Sequence, residues 1–540
     1  MELIGFVIPL SGDAVPRAKT SFYSWVVDLE KRASSPLIPE NLHASEFLTL
    51  LDDDETYRKL ALWAGSLEIR LGILEATNDI NLARVSSGSS DVINQIIQED
   101  TFALGVMRYN SAYRAFAKGA RFVLREVQPS INDARLDINI HCQLKGFDES
   151  HVAKFIFAGK PKLVSDRVQV LIGKNGTGKS QFLNQMIGSL ALHADGSGAE
   201  VFEDLPNDQF SATAADWQAV PNSVLVFSTD DQNLFPRKAR FDAALDYWYF
   251  SLASKGDQTQ LLQQEPQALG RALRDLIRDE SELQGQRRFE IFRNIMNPVL
   301  PLSLIHLPLK KIPKKVSGCF HDLGGLVWIP LEKVPSSEQA LLYLAAAIDT
   351  SRDLALIDEG REIFPPSSGQ RVYLRFATLA LSVISQGSMI IFDEPETHLH
   401  PNFISEFMKL LHDLLTATNS IAVVATHSPY VVREVPTVCV HVVAREGNAP
   451  TVGSVHLKTL GASISSISDA VFGDAAATKF HRIVAEKLSK EGKKISDDKA
   501  KRVNWLLKNF GDELNAEMLS TIRFLMERNV NDEEAVDDDA

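Results

Sequence analysis

The chain has 540 residues, a length that predicts about three to four domains and a sizeable buried core. Its composition, with 45% apolar and 23% charged residues, excludes a small disulfide-stapled protein, a collagen-like repeat and a wholly disordered chain. The formal net charge of −14 disfavours a generally basic nucleic-acid coat, but a local basic groove remains compatible with it.

Cysteines and apolar runs indicate the cellular compartment. Cys142, Cys319 and Cys439 lie far apart and belong to no CxxC or Cys/His cluster, so neither a disulfide framework nor a Cys-based zinc site is predicted. No uncharged apolar run approaches the roughly 18 residues that a membrane helix needs. The N-terminus also lacks the basic start of a signal peptide. We therefore expect a cytoplasmic protein without membrane contact.

The first 120 residues are predicted to be mostly helical. Leu48, Leu51 and Leu60 are among apolar residues that recur at helical intervals. The period then changes, because residues 136–142 alternate between apolar and polar side chains, which is typical of a half-buried strand. Residues 155–157 and 168–172 are predicted as two more strands.

The next segment carries the clearest chemical signal. Its residues are Gly173, Lys174, Asn175, Gly176, Thr177, Gly178, Lys179 and Ser180. They fit G-x-x-x-x-G-K-[ST], the Walker A motif, between a strand and a helical pattern. Glycines let backbone N–H groups wrap phosphates, and the helix N-terminus adds its dipole. We expect Lys179 to reach the β- and γ-phosphates of ATP and Ser180 to bind Mg²⁺. The alternative is an ordinary glycine-rich turn.

Further along, the patterns alternate between strand and helix. Residues 193–222 are loop-like, 224–227 are a buried strand, and helical patterns dominate from about 236 to 350 around a Pro-rich basic stretch at 301–315. Strand-like runs return at 389–392, 421–425 and 438–443, which favours a mostly parallel α/β sheet. Helix is predicted again after 476, and an acidic tail closes the chain.

Two apolar runs end in Asp-Glu, as a Walker B strand does: one before Asp358 and Glu359, the other before Asp393 and Glu394. The second is favoured, because the next strand leads into His427, and parallel strands bring their carboxyl ends to one sheet edge. Asp393 would hold Mg²⁺, while Glu394 would activate the attacking water as general base. His427 would contact the γ-phosphate; a purely structural histidine is the alternative.

A Ser-Gly-Gln element precedes this strand. Ser367, Ser368, Gly369 and Gln370 lie between the two Walker motifs, with Gly369 24 residues before Asp393. The order of motifs over about 125–475 resembles the ATP-binding-cassette ATPases. The resemblance implies that this signature covers the γ-phosphate of a second subunit, so that two ATPs are sandwiched in a head-to-tail dimer. Pro366 and Ser368 depart from the Leu-Ser-Gly-Gly-Gln of transporters, and a polar helix cap is the alternative.

The residues after Walker B narrow the resemblance. Asp-Glu-Pro-Glu-Thr-His-Leu-His-Pro from Asp393, with Thr-His-Ser-Pro around His427, is similar to the OLD-like and Septu PtuA-like ATPases of prokaryotic antiphage defence. The resemblance places His398 and His400 in a loop facing the other subunit; a metal site there is the weaker alternative. It also implies a magnesium-contacting glutamine after the strand at 224–227, for which Gln232 is the candidate.

Effector chemistry is not apparent in the sequence. The only Asp-x-Asp after His427 lies in the acidic tail, so we expect the nuclease or toxin of such a system on a separate chain. Basic groups are candidates for DNA or RNA contact: Lys310 with Lys311, Lys314 and Lys315, then Arg237 with Lys238 and Arg240. Residues 479–508 also carry ten Lys or Arg against four Asp or Glu. A solvated lysine-rich helix face is the alternative.

The sequence thus predicts an α/β ABC-type P-loop ATPase with a mostly parallel sheet, an antiparallel β subdomain, a large helical insert and an N-terminal helical extension. The predicted boundaries are 1–120 for the extension, 121–235 and 367–475 for the core, 236–366 for the insert, 476–530 for a helical segment and 531–540 for a disordered acidic tail. The expected function is that of an ATP-dependent dimer or higher oligomer, the sensor or scaffold of a defence complex. A DNA-repair clamp and a structural ATP-binding assembly protein are the alternatives, and a transporter cassette is disfavoured.

Overall fold

The computed structural model describes most of the chain. The described residues are 4–9, 17–21, 47–86, 102, 106, 110–124, 136–157, 164–196, 200–210, 213–229, 234–240, 245–252, 266–279, 281–313, 316, 320–472, 480–496, 498–511, 513–514 and 516–527. Gln232, Lys314, Lys315 and the acidic tail lie outside them. The chain divides into two compact units, Met1–Ile464 and Ser465–Ala540.

Twenty strands occur in the described residues. They are β1 (Ile4–Pro9), β2 (Arg17–Ser21), β3 (Phe47–Leu51), β4 (Leu136–Cys142), β5 (His151–Phe157), β6 (Val168–Ile172), β7 (Thr213–Trp217), β8 (Ser223–Ser228), β9 (Asp246–Ser251), β10 (Glu282–Leu283), β11 (Gln286–Arg287), β12 (Ile305–Leu309), β13 (His321–Leu323), β14 (Leu326–Pro330), β15 (Ala355–Ile357), β16 (Ile363–Phe364), β17 (Met389–Asp393), β18 (Ile421–Thr426), β19 (Val440–Glu446) and β20 (Ala449–Ser454).

The α-helices of the described residues number sixteen. They are α1 (Asp54–Ala64), α2 (Leu67–Ala76), α3 (Ile80–Ser86), α4 (Asn110–Lys118), α5 (Arg121–Leu124), α6 (Lys179–Asp195), α7 (Pro266–Arg278), α8 (Arg288–Met296), α9 (Glu338–Ala347), α10 (Ser368–Val383), α11 (Pro401–Ala417), α12 (Pro429–Val432), α13 (Ile464–Phe472), α14 (Phe480–Ile495), α15 (Lys499–Phe510) and α16 (Ala516–Glu527).

A seven-stranded sheet forms the centre of the first unit, in the order β20-β19-β6-β18-β17-β8-β9. All neighbouring strands are parallel except β19 and β20. Every residue of β6, β8, β17 and β18 is buried, as expected for parallel strands whose two faces are both covered. The predicted α/β fold with a mostly parallel sheet is confirmed.

The register of this sheet aligns the strand ends that carry the motifs. Asp393 at the end of β17 pairs with Ala425 of β18, and Thr426 pairs with Ile172 at the end of β6. The carboxyl ends of β6, β18 and β17 therefore meet at one edge, which is where ligands of open parallel sheets bind.

An antiparallel sheet in the order β5-β4-β7 covers helix α6. Ile138 of β4, Phe155 of β5 and Phe182 of α6 belong to one hydrophobic core that also contains Ile391 of the central sheet. Burial of apolar side chains from both sheets around α6 fixes the helix behind the Walker A residues. This sheet is the antiparallel subdomain expected from the sequence.

The N-terminal segment is mixed rather than helical throughout. Its helices α1 to α5 accompany an antiparallel sheet in the order β2-β1-β3. Residues 47–51 are buried along their whole length as β3. The spacing of Leu48 and Leu51 also fits a helix, and a short apolar run cannot be assigned by periodicity alone.

The insert is also only partly helical. It contains β9, which extends the central sheet beside β8, and an antiparallel sheet in the order β13-β14-β12-β15-β16. Its strands have two to six residues, too few for an alternating pattern to stand out from neighbouring helical residues. The basic Pro-rich stretch holds the buried strand β12, residues 305–309.

The second unit has its own small core. Helices α14, α15 and α16 pack together around Ala485, Leu506, Ile522 and Met526. Its exposed lysines include Lys487, on α14.

Candidate nucleotide-binding and hydrolysis site

The Walker A residues form a tight loop between β6 and α6. Gly176 and Gly178 have φ angles of 81° and 91°, in the left-handed region that favours glycine. A Cβ at Gly178 would lie 2.9 Å from Leu144 Cδ1, and one at Gly173 would lie 2.0 Å from the carbonyl oxygen of Val443. The glycines of the motif are therefore required by the conformation of the loop and by the close approach of its neighbours.

Lys179 lies beneath this loop, at the first position of the 17-residue helix α6. Its Nζ donates hydrogen bonds to the carbonyl oxygens of Gly173 at 2.9 Å and Lys174 at 3.1 Å. Burial lowers the pKa of Lys179, and Glu394, Asp393 and Glu396 act in the opposite direction. An ammonium group at a helix N-terminus, enclosed by a loop of backbone, fits a phosphate ligand.

His151 supports the loop from the antiparallel sheet. Its Nε2 lies 3.2 Å from the carbonyl oxygen of Thr177, and its ring packs edge-on against Phe147 with centroids 4.6 Å apart. Burial lowers the pKa of His151. No local pattern predicts this contact, because His151 lies 22 residues before the motif and the pairing of its strand β5 with β4 cannot be inferred from spacing.

Ser180 and Asp393 meet across the sheet edge. The Oγ of Ser180 donates a hydrogen bond to Oδ1 of Asp393 at 2.8 Å, and Asp393 is only 3% exposed. A hydroxyl and a carboxylate in contact are oxygen ligands of the kind that Mg²⁺ prefers. The described residues hold no group of three His, Cys, Asp or Glu suited to a metal.

Glu394 follows β17 in a constrained conformation. Its φ of 53° and ψ of 56° are left-handed, which is uncommon for a residue with a side chain, and its N–H donates to the carbonyl oxygen of Ala425 at 2.9 Å. His427 Nδ1 lies 3.4 Å from Glu394 Oε1. The side chains are 30% exposed for Glu394 and 46% for His427, so both reach the open edge of the sheet.

Glu396 is a site residue to which the sequence analysis assigned no role. Its Oε1 accepts hydrogen bonds from the Thr426 hydroxyl and from the His427 N–H at 2.9 Å, and lies 3.3 Å from His427 Nδ1. Its Oε2 is buried without a hydrogen-bond partner in the part of the chain that the structure describes. Glu396 therefore ties the 3-10 turn at 395–398 to the strand end that carries His427. A single sequence cannot distinguish such a glutamate from a solvated one in a turn.

The other Asp-Glu pair, Asp358 and Glu359, lies in a different environment. Asp358 follows β15, in the five-stranded antiparallel sheet, and its Oδ1 accepts from the N–H of Glu362 in an exposed turn. Asp358 and Glu359 are both exposed. The structure thus brings Asp393, and not Asp358, beside Ser180.

The Ser-Gly-Gln residues form the N-terminus of α10. Ser367 and Gln370 make a reciprocal capping box, and Gly369 is buried, with a Cβ built on it 3.1 Å from Phe403 Cδ2. The hydrogen bonds of Ser367 and Gln370 stay within the start of the helix. Ser367 and Ser368 are exposed. Among the described residues, no hydrogen bond joins Ser367 or Gln370 to the Walker A loop of the same chain.

Two further candidates can be placed only in part. His400 is the N-cap of α11, and its Nδ1 accepts from the N–H of Asn402 at 3.4 Å. The proposed magnesium ligand Gln232 lies outside the described residues, as noted above.

Among the helices that the structure describes, none is long and apolar enough to cross a membrane.

Comparison with known proteins gives a family match and one curated relative. Residues 168–433 match the family model described as "AAA domain, putative AbiEii toxin, Type IV TA system". Protein ea59 of Escherichia phage lambda is 35% identical over 126 residues, which is 23% of this chain and 24% of that protein. The match therefore spans about a quarter of the length of the relative.

Solved structures give weaker similarity. The SMC head domain from Thermotoga maritima has 14% identity and a TM-score of 0.29, covering 60% of this chain and 100% of that structure. UvrA2 from Deinococcus radiodurans has 13% identity and a TM-score of 0.28, covering 66% of this chain and 42% of that one. Because these scores are low, the assignment depends on the strand order, the site and the family match. Residues 168–433 form a P-loop ATPase domain.

Proposed function

We propose that this chain is a magnesium-dependent ATPase that pairs head to tail around ATP and acts as the sensor or scaffold of a prokaryotic antiphage-defence complex. The observation that carries the catalytic part is the convergence of Ser180, Asp393, Glu394 and His427 at one sheet edge, beside Lys179. These residues lie at the ends of β17 and β18 and in the first turn of α6, the helix that follows β6. Such a combination supplies each group that phosphoryl transfer to water needs.

The chain's own residues would act as follows. The Walker A backbone and Lys179 would bind the triphosphate, and the Ser180 hydroxyl and Asp393 carboxylate would hold Mg²⁺. When bound, Mg²⁺ neutralises charge on the phosphate oxygens. Glu394 would accept a proton from the water whose oxygen attacks the γ-phosphorus, while the bond to the β–γ bridging oxygen breaks, giving ADP and phosphate. His427, oriented by Glu396, would contact the γ-phosphate.

Pairing of two copies follows from the resemblance to ATP-binding-cassette ATPases. Ser367 and Ser368 are exposed at the N-terminus of the 16-residue helix α10, where backbone N–H groups attract anions. This end of α10 would cover the γ-phosphate of ATP held by the Walker A loop of the second copy. ATP binding would close the pair, and hydrolysis would reopen it.

The defence role is supported by the motif resemblance and by the toxin–antitoxin description of the matching family. We further propose that a nuclease or toxin on a separate chain is the effector. A DNA clamp is the second candidate, since exposed Lys487, Lys490, Lys494, Lys499 and Lys501 provide a basic surface in the second unit.

Substitution of Glu394 by Gln tests the catalytic proposal. We expect ATP binding to persist and turnover to fall about 10²- to 10⁴-fold, the usual contribution of a general base, with ATP-dependent dimers accumulating in size-exclusion chromatography. The matched control is Glu359→Gln, in the exposed pair Asp358-Glu359, which should retain turnover. Unchanged hydrolysis in Glu394→Gln would refute the assignment.

The biological alternatives are separated by three measurements on the wild-type chain. Stimulation of ATP turnover by DNA ends, lost in high salt, would favour the clamp. Stable ATP occupancy with negligible turnover would favour a structural assembly protein. Co-purification of a nuclease or toxin chain from the same operon, released when ATP is removed, would support the defence complex.

A further inference from the structure

Eight buried charged side chains cluster where the N-terminal helices meet the central sheet and the insert. The cations are Arg114, Lys118, Arg121 and Arg288, and the carboxylates are Asp53, Asp54, Asp246 and Asp279. No side chain among them is more than 17% exposed. The cluster has four cationic side chains and four carboxyl groups, so it can be buried with little net charge.

Arg114 of α4 joins the N-terminal segment to the insert. Its Nη2 lies 3.0 Å from Asp53 Oδ2, at the start of α1, and its Nη1 lies 2.8 Å from Asp279 Oδ2, just after α7. Burial alone would lower the pKa of Arg114, but Asp53 and Asp279 hold that pKa well above its ordinary value. The network also reaches the central sheet, because Lys118 Nζ lies 2.6 Å from Asp246 Oδ2 at the start of β9.

Arg288 connects this network to the helix that begins with the Ser-Gly-Gln residues. Its Nε donates to Ser281 Oγ at 2.8 Å and lies 3.7 Å from Asp279 Oδ2. Its Nη1 donates to the carbonyl oxygens of Leu381 and Ile384, each at 2.7 Å. One planar guanidinium therefore binds the insert on one side and the C-terminal end of α10 on the other.

These contacts hold α10 in a defined position. The last carbonyl groups of a helix have no partner within the helix, and Arg288 supplies two of the missing hydrogen bonds in a buried place. Helices α7 and α8 pack along α10 as well. A helix of 16 residues is about 24 Å long and stiff, so a shift of its C-terminal end moves Ser367 and Ser368 at the other end.

We propose that Arg288 is the positioning residue of α10. Through the ion network, the N-terminal segment then influences the position of α10 and so the rate of ATP hydrolysis in the site whose ATP is held by the other copy. The proposal rests on the proposed head-to-tail dimer. Because the Ser-Gly-Gln end of α10 acts on ATP held by the other copy, loss of Arg288 should impair hydrolysis without weakening ATP binding by the same chain.

The test mixes an impaired variant and an inactive variant of the full chain. Arg288→Met should lower kcat about 10- to 100-fold, the loss that a misplacement of about 1 Å can cause, while its ATP dissociation constant stays within about twofold of wild type. Lys179→Ala should be inactive through its own Walker A loop. In a one-to-one mixture, half of the dimers are mixed and each has one site with both halves intact. We therefore expect about a quarter of wild-type turnover.

A control pair separates failure of this proposal from failure of the dimer. Ser368→Glu places a carboxylate at the exposed start of α10, where it suits the helix but repels a triphosphate. Its mixture with Lys179→Ala should also regain activity. If neither mixture does, the head-to-tail dimer is refuted. If only the Ser368→Glu mixture does, the role of Arg288 is refuted. Arg274→Met removes a partly exposed ion pair on neighbouring α7 and should retain turnover.

Folding is controlled by a conservative variant. If Arg288→Met is insoluble, Arg288→Lys keeps the charge but has no planar fork, and it is tested in the same mixture.

The N-terminal part of the proposal is tested by Asp53→Asn, since asparagine caps α1 as well as aspartate does but leaves Arg114 without this anion. We expect a lower kcat with unchanged ATP affinity. Wild-type kcat in Asp53→Asn would overturn the role of the N-terminal segment.

Discussion

The Oγ of Ser180 donates a hydrogen bond of 2.8 Å to Oδ1 of Asp393, although 213 residues separate them in the chain. Ser180 lies in the first turn of α6, and Asp393 ends β17, two strands away from β6 in the central sheet. The contact is made because parallel strands end at the same edge and the helix after β6 begins there. It places a hydroxyl and a carboxylate together at the expected position of a phosphate-bound cation.

Asp393→Asn should raise the Mg²⁺ concentration needed for half-maximal turnover. Even residues that only orient a metal ligand contribute about 10- to 100-fold to metal affinity, so a direct ligand should contribute at least as much. The measurement is the rate of phosphate release against Mg²⁺ concentration at fixed ATP. Asp358→Asn is the matched control, since Asp358 lies in an exposed turn of another sheet. Equal Mg²⁺ dependence of Asp393→Asn and wild type would contradict the assignment.

Lys179→Ala should weaken ATP binding itself. Hydrogen bonds to charged groups contribute about 1.5–3 kcal/mol, which corresponds to at least a 10- to 100-fold loss of affinity for a triphosphate. Calorimetric titration with a slowly hydrolysed ATP analogue measures the dissociation constant. Lys409→Ala removes an exposed lysine paired with Asp413 and should bind like wild type. Full retention of affinity in Lys179→Ala would contradict the phosphate-loop assignment.

Glu396→Ala should lower both stability and kcat. The change leaves the Thr426 hydroxyl and the His427 N–H without their acceptor, at an expected cost of about 1–3 kcal/mol. It also frees the His427 ring, so kcat should fall while ATP affinity is retained. Glu396→Gln keeps an amide oxygen for the same two donors and should recover most of the stability. Denaturant unfolding and steady-state kinetics measure the two effects, and wild-type values in Glu396→Ala for both would exclude a positioning role.

The Walker motifs and the parallel sheet could be predicted because each has a strong local pattern. The phosphate loop has fixed residues at four of eight consecutive positions, and the strands before Asp393 and His427 are continuous apolar runs of at least four residues. Their meeting at one edge follows from the rule for parallel strands. The roles of these residues remain predictions that the variants above test.

Other features depend on long-range contacts that no local pattern records. In the sequence, Arg288 cannot be distinguished from other arginines at the start of a helix. Its contacts with Leu381 and Ile384 form only because α8 packs against α10. Glu396 likewise becomes buried only when its turn closes on Thr426. The strand β3 is predicted as helix because four of its five residues are apolar and so short a run satisfies both periodicities. These misses arise where tertiary packing, rather than spacing, decides the structure.

His441 of β19 is a partly buried titratable group away from the catalytic edge. Its Nε2 lies 2.9 Å from Gln169 Oε1, and Phe155 packs edge-on against the ring with centroids 4.9 Å apart. The Gln169 amide nitrogen donates to the carbonyl oxygen of Ile156, so its oxygen faces the histidine and accepts the Nε2 proton. Burial lowers the pKa of His441 to about 4.

This lowered pKa predicts that acid destabilises the chain through His441. Between pH 6.5, the ordinary pKa of histidine, and pH of about 4, the unfolded chain binds a proton at His441 that the folded chain does not. The contribution of His441 to the free energy of unfolding therefore falls as pH falls through this window, and it is constant above it. The shift corresponds to about 3 kcal/mol. His441→Gln retains a donor for Gln169 but cannot titrate. The free energy of unfolding in urea, measured at pH 7.5 and pH 4, should therefore fall by about 3 kcal/mol more for wild type than for His441→Gln. Equal losses would show that His441 does not cause the destabilisation by acid.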